Sequence, residues 1–197
     1  MVSIDLIKQL REISGAGIQD CKKALEESNG DLTKAIEVLR KKGFKDLEKR
    51  SARSASEGTL GVYVHPGDRI CAVVELNCET DFVAKNEEFK AVARELAMQV
   101  AAMKPLYISR EHVPEAVLEK EREIVRAQYP DVPDDRFGKI LEGKLNSFFS
   151  EVCLLEQMYI KDNSKKVFEF LTEKTAKFGE KIEVSRFTRF EVGERSL

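Results

Sequence analysis

The chain of 197 residues has no tryptophan, only five prolines and eleven glycines, and no apolar run approaching the ~20 residues of a membrane span. The scarcity of helix breakers favours a helix-rich protein. Its two histidines lie far apart and its four cysteines show no CxxC spacing, so neither a zinc site nor a disulfide framework is indicated. We expect no metal and no cofactor, and a reducing cytoplasm as the location that suits four free thiols.

Neither positive nor negative charge predominates. Charged residues make up 35% of the chain, yet the formal net charge is only -2 and the two signs are interspersed. A broad basic field that would hold nucleic acid is absent, and only the charged run at 45–53 favours RNA binding. The first residues are acidic and amphipathic, which is unlike a signal peptide. We therefore expect no membrane and no direct nucleic-acid partner.

The signatures of common enzymes are missing as well. There is no GxxxxGK[ST] loop, no GxGxxG and no GxSxG nucleophile elbow. His65 precedes a proline in a turn, His112 lies among charged residues shortly before another proline, and neither has a recognisable catalytic partner. A small hydrolase is thus disfavoured, and the sequence indicates a protein that acts by binding rather than an enzyme.

Residues 1–43 predict a module of three short helices. Ser3 and Asp31 are candidate N-caps, and Gly43 ends the third helix. Gly15 and Gly17 separate the first two helices, and we expect them to permit a close approach between helices. Residues 44–57 are strongly charged and predict a linker helix.

Residues 58–197 predict an α+β domain: a three-stranded antiparallel sheet packed with helices, with a helical hairpin as an arm. The predicted strands are Gly58–His65, Arg69–Asn77 and Lys181–Val192. The predicted helices are 86–104, the hairpin at about 113–152, and Ser164–Phe178.

Period-two alternation divides the strands into two faces. One face is predicted to be internal, with Leu60, Val62, Val64, Ile70, Ala72, Val74, Leu76, Ile182, Val184, Phe190 and Val192. The opposite face carries Tyr63, Cys71, Val73 and Phe187 among polar residues. A face fully open to water should be more polar, so we expect it to pack on something outside the local fold.

A predicted strand ends and a predicted helix begins within residues 75–84, and this junction carries an aromatic residue. Thr80 and Asp81 are both good N-caps, and Phe82 follows directly. The residue pattern alone leaves two interpretations open: Phe82 packs into its own core, or it is kept for a partner.

Two segments match a known family. The first is Ile4-x-x-Ile7-Lys8-x-Leu10-Arg11-x-x-Ser14-Gly15-Ala16-Gly17-Ile18-x-Asp20-Cys21-Lys22-Lys23-Ala24-Leu25, and the second is Glu75-Leu76-Asn77-Cys78-Glu79-Thr80-Asp81-Phe82-Val83-Ala84. They resemble the two signatures of the translation elongation factor Ts family, in the same order and at the expected separation. The resemblance runs from Met1 to the last strand.

The resemblance implies a guanine nucleotide exchange factor that binds elongation factor Tu in its GDP form. It further implies that Thr80, Asp81, Phe82 and Val83 insert beside the nucleotide and dislodge Mg²⁺. The N-terminal helices resemble a ubiquitin-associated-like module that docks on the GTPase. The docking residues carried over are Gly15, Gly17, Ile18, Asp20, Lys22 and Lys23.

The resemblance also bears on assembly. Long family members carry two copies of the core subdomain, whereas this chain has one, so we expect a homodimer in which the face with Tyr63, Cys71, Val73 and Phe187 meets its copy. The alternative function is a ubiquitin-associated-like adaptor without exchange activity, which would have no use for the segment at 75–84.

Overall fold

The computed structural model describes residues 2–14, 16–39, 41 and 54–194, and these form the α+β fold that the sequence predicts. The helices are α1 (Ile4–Ser14), α2 (Ile18–Glu27), α3 (32–39), α4 (Asp81–Ala84), α5 (Glu87–Met103), α6 (Glu115–Gln128), α7 (Asp134–Val152) and α8 (Val167–Phe178). The strands are β1 (Glu57–Val64), β2 (Ile70–Cys78), β3 (Met158–Tyr159), β4 (Asp162–Lys166) and β5 (Glu183–Glu191). Within the described residues, every helix is too short or too polar to cross a bilayer.

The chain divides into two compact units. The first contains Met1–Gly61, Glu75–Ala93 and Glu169–Ser185, and the second contains Val62–Val74, Arg94–Phe168 and Arg186–Leu197. Most of the predicted linker helix at 44–57 lies outside the described residues. Residues 54–56 have no regular structure before β1 begins.

In the first unit, α1, α2 and α3 enclose a small apolar core of Leu10, Cys21, Ala24, Leu25 and Ala35. The turn before α3 has positive φ angles at Asn29 (53°) and Gly30 (83°). Asp31 then caps α3, because its Oδ1 accepts a hydrogen bond from the Lys34 amide at 3.1 Å. The same unit holds an edge-to-face pair of Phe89 and Phe178, whose ring centroids lie 5.8 Å apart.

The sheet has the order β1-β2-β5 and is antiparallel. β2 alternates as predicted, with Ala72, Val74 and Leu76 fully buried. In β1 the alternation is opposite to the prediction: Gly61 is buried and Tyr63 half-buried, whereas Val62 and Val64 are each 52% exposed. The hairpin pairs the His65 amide with the Ile70 carbonyl at 2.8 Å, which places Tyr63 on the same face as Ala72.

A second departure from the prediction lies in β5. Val184 is buried, but further along the Arg189 side chain is 8% exposed while Phe190 is 62% exposed. Even-numbered side chains therefore face the core at Val184, whereas odd-numbered side chains face it at Arg189. Phe187 is odd-numbered and lies on the inward face with Arg189. An alternation that shifts by one residue moves every later side chain to the other face.

The small hairpin of β3 and β4 is absent from the sequence-based prediction, which continues α8 back to Ser164. Instead, Ser164 donates both its amide (3.0 Å) and its hydroxyl (2.6 Å) to Asp162 Oδ1. This local turn chemistry competes with helix capping. The buried Gln99 holds the hairpin, since its Oε1 accepts from the Ile160 amide (2.9 Å) and its Nε2 donates to the Met158 carbonyl (3.1 Å).

Within the second unit, an ion cluster connects α7 of the helical hairpin to the segments that flank the hairpin. Arg110 makes a forked contact with Glu156, with Nε to Oε1 at 2.7 Å and Nη2 to Oε2 at 3.0 Å. Its Nη1 also donates to Asn146 on α7 at 3.0 Å, and Lys166 Nζ lies 2.9 Å from Glu156 Oε2. Hydrogen bonds from Arg110 and then Lys166 lower the pKa of Glu156 to about 2, although desolvation opposes this.

Replacement of Gly58 by alanine should destabilise the fold. A Cβ at this position would lie 2.4 Å from the Leu76 carbonyl oxygen, and relieving such overpacking costs roughly 1–3 kcal/mol. Gly138→Ala on α7 is the control: a Cβ there meets nothing within 4 Å, so better helix propensity should stabilise by up to ~1 kcal/mol. Urea unfolding measures both changes, and equal midpoints for the two variants would contradict the close approach at Gly58.

The ion cluster predicts an acid-sensitive stability. Because the pKa of Glu156 is lowered in the folded state, its contribution is complete above about pH 4.5 and is lost as the pH falls toward 2. Glu156→Gln should lower the free energy of unfolding by roughly 1–2 kcal/mol at neutral pH and flatten its slope in the acid range. The exposed Glu142 supplies the control Glu142→Gln, and an unchanged acid slope in Glu156→Gln would contradict the assignment.

Candidate functional site

The segment that links β2 to α5 forms one short helical turn. α4 comprises only Asp81–Ala84, closed by hydrogen bonds from the Ala84 amide to the Thr80 carbonyl (3.1 Å) and from the Lys85 amide to the Asp81 carbonyl (3.0 Å). Ala84 is buried and anchors the turn. Residues 79–84 are called the Phe82 turn below.

Phe82 is the most exposed large apolar side chain among the described residues, at 83%. A phenylalanine that packed into its own core would be nearly inaccessible, so that interpretation of the sequence is excluded. Val83, the next residue, is half-buried. The turn thus presents one aromatic ring to solvent beside the Asp81 carboxylate.

Glu180, from the segment between α8 and β5, holds the start of the Phe82 turn. Its Oε2 accepts hydrogen bonds from the amides of Glu79 (3.1 Å) and Thr80 (3.0 Å), and its Oε1 accepts from Thr80 Oγ1 at 2.6 Å. In return, Glu79 Oε1 accepts from the Lys181 amide at 2.6 Å. Sequence reasoning missed Glu180, because about one hundred residues separate it from its partners and no local pattern marks it.

Thr80 occupies the N-cap position but does not cap α4. Its side chain makes no hydrogen bond to the helix amides, because the hydroxyl donates to Glu180 instead. The prediction of a Thr80 side-chain cap is therefore wrong. Its hydroxyl fixes the turn to the segment that precedes β5.

Asp81 lies in the first turn of α4 and forms an exposed ion pair. Its Oδ2 is 2.6 Å from Lys85 Nζ, an i,i+4 pair. The hydrogen bond from Lys85 lowers the pKa of Asp81, so this carboxylate is ionised at neutral pH. A negative charge beside an exposed ring gives the turn both an electrostatic and an apolar element.

Cys78 lies beneath the turn and is fully buried. Its Sγ donates to the Thr80 carbonyl at 3.2 Å. Desolvation and then the nearby charge of Glu180 raise the pKa of the Cys78 thiol to about 11. The thiol is therefore a neutral structural group.

The residues assigned to docking surround the start of α2. Ile18 is 54% exposed, and Lys22 and Lys23 are exposed one turn further on. Gly17 precedes α2 with φ -63°, and a Cβ there would meet only Asp20 Oδ2, at 3.5 Å. The expectation that Gly17 permits a close approach between helices is therefore wrong, and Gly15 lies outside the described residues.

The outward face of the sheet in the second unit is apolar but differs from the predicted set. Cys71 and Val73 are partly exposed and have the predicted outward parity. Tyr63 and Phe187 have the inward parity, so their assignment to this face is wrong. The exposed positions are instead Val62, Val64, Phe190 (62%) and Val192 (56%).

Both histidines contact neighbouring hydroxyl groups. His112 Nδ1 lies 2.8 Å from Ser109 Oγ, but Glu111 also bonds to that hydroxyl and not to the imidazole. The order serine–histidine–carboxylate needed to orient a base is therefore not built. His65 Nδ1 contacts only the Tyr63 hydroxyl, at 3.1 Å, among the contacts of the described residues.

Comparison with known proteins identifies relatives over nearly the whole chain. The sequence model of the family described as "Elongation factor TS" matches residues 7–194. Elongation factor Ts of Thermotoga neapolitana is 60% identical over 193 residues, covering 98% of both chains. The proteins of that name from Thermotoga maritima and Carboxydothermus hydrogenoformans are 58% and 55% identical, covering 98% of this chain and 97% and 90% of their own.

Proposed function

Because the chain belongs to the elongation factor Ts family and is a translation elongation factor, we propose that it is the guanine nucleotide exchange factor for elongation factor Tu. It binds the GDP form of that GTPase in the cytoplasm, displaces Mg²⁺ and promotes release of GDP. It performs no bond chemistry of its own. The observation that carries this proposal is the exposure of Phe82 on an anchored turn.

The physical basis is coupled binding. GDP is held by its phosphates and by Mg²⁺, whose octahedral coordination tolerates little distortion. A protein that binds the distorted site more tightly than the GDP-bound site must weaken GDP binding by the same factor. Burial of one Phe side chain is worth roughly 1.5–3 kcal/mol, which corresponds to about ten- to a hundred-fold in affinity.

The N-terminal helices supply a second contact in this proposal. The exposed Ile18, with Lys22 and Lys23 on the following turn, offers an apolar residue bordered by positive charge. Two contacts made by one chain raise its residence on the partner without opposing the action of the Phe82 turn. An adaptor without exchange activity would bind through these helices alone.

Phe82→Ala should abolish most of the exchange activity while leaving the fold intact. The side chain is 83% exposed, so its truncation removes little packing, whereas loss of an interface aromatic commonly costs about 2 kcal/mol or more. The measurement is release of fluorescent GDP from purified elongation factor Tu, with thermal unfolding alongside. Phe168→Ala, at a 41% exposed ring outside the turn, is the control.

Two outcomes would contradict the role of Phe82. One is normal exchange by the folded variant. The other is a loss of activity that merely follows a lower unfolding temperature. Absence of any acceleration by the unaltered chain would instead support the adaptor.

We further propose that two chains dimerise through the outward face of the sheet. Val62, Val64, Phe190 and Val192 expose a continuous run of apolar side chains within the second unit, flanking Cys71 and Val73. A two-fold axis brings identical patches together, so one apolar face covers another and a sheet sandwich results. Such a dimer carries two Phe82 turns.

Val62→Glu should therefore yield monomers, since a buried carboxylate without a partner is strongly disfavoured. Sedimentation at micromolar concentration measures the state, and Leu106→Glu, at a 67% exposed position outside this face, is the control. Alkylation of Cys71 should be slow in the unaltered protein and faster in Val62→Glu. A stable monomer in the unaltered protein would contradict this assembly.

A further inference from the structure

Phe82 depends on its backbone for its direction. Since 83% of the side chain is exposed, its own packing restrains the ring little. The restraint comes from residues 79 and 80, whose amides and hydroxyl are all taken up by Glu180. The three hydrogen bonds that Glu180 accepts from residues 79 and 80 are called the clamp below. Hydrogen bonds to an ionised carboxylate are about twice as strong as neutral ones, so three such bonds restrain the turn strongly.

The clamp is also reciprocal. Glu79 accepts from the Lys181 amide while Glu180 accepts from the Glu79 amide, so neither segment can move away without leaving hydrogen-bonding groups of the other unpaired. The Thr80 carbonyl is held separately by Cys78 Sγ. Every polar group of the Thr80 backbone and side chain is thereby engaged immediately before Asp81 and Phe82.

We infer that Glu180 is a positioning residue for the exchange reaction, holding the Phe82 turn in the orientation that enters the partner. The inference rests on the proposed function. An interface element that is already ordered loses less conformational entropy on binding, so a wedge held in advance acts at lower cost than one that must be ordered by the partner. Glu180 itself contacts neither nucleotide nor magnesium in this scheme.

The test measures GDP release from elongation factor Tu as a function of exchange-factor concentration, which separates the maximal rate from the half-saturating concentration. Glu180→Ala should lower the maximal rate at least about ten-fold. Glu180→Gln keeps one acceptor oxygen and should recover part of the loss. Glu183→Ala is the control, because Glu183 forms an ion pair with the Lys181 side chain, at 2.8 Å, whereas Glu180 accepts the hydrogen bonds of residues 79 and 80.

A double-mutant cycle distinguishes positioning from a general structural role. If Glu180 acts through the ring, Glu180→Ala should change the rate less than about two-fold when Phe82 is already alanine. A separate loss of full size in that background would overturn the inference. Amide hydrogen exchange on the free protein should show faster exchange at Glu79 and Thr80 in Glu180→Ala, with the rest of the chain unchanged.

The outcomes separate this inference from the function on which it rests. If the unaltered chain accelerates GDP release and Glu180→Ala does so equally, the positioning role is wrong and the exchange function stands. If the unaltered chain has no effect, the exchange function fails and the inference fails with it. If Glu180→Ala does not fold, Glu180→Gln decides by the same cycle, and full activity there overturns the inference.

Discussion

The exchange of hydrogen bonds between residues 79–80 and residues 180–181 is the constraint on which the candidate site depends. The end of β2 and the approach to β5 each carry a glutamate that accepts from the backbone of the other. These bonds satisfy amides that neither the sheet nor α4 pairs, which a partly buried backbone requires. α4 has only one turn, which is too short to be stable alone. These hydrogen bonds therefore support it from its N-terminal side.

The apolar surface is distributed unevenly, and its distribution suits binding. Phe82 stands alone on a turn, whereas Val62, Val64, Phe190 and Val192 share a sheet face. A single exposed ring adds little to the tendency to aggregate, but a broad face is more costly in water and needs a cover. The proposed division is therefore that the ring meets the GTPase and the face meets a second chain.

Sequence reasoning predicts the α+β class, the alternation of β2 and the helix at 86–104 that corresponds to α5, because each arises from a strong local period. It fails for β1, where Leu60, Val62 and Val64 are more hydrophobic than Thr59, Gly61 and Tyr63 but face outward. The burial of the glycine follows from packing, and the exposed valines belong to a surface that composition alone cannot distinguish from a core. In β5 the shift of alternation after Val184 has no local marker. Sequence reasoning also misses Glu180, because its hydrogen-bond partners are distant in the chain and no local pattern marks it.

The Cys78 thiol, at the base of the Phe82 turn, resists oxidation. Oxidants attack the thiolate, and a thiol with a pKa of about 11 that donates its proton to the Thr80 carbonyl stays protonated under ordinary cellular conditions. Burial also denies peroxide a path to the sulfur. The turn therefore has a neutral thiol at its base, in the protonation state that oxidants attack least.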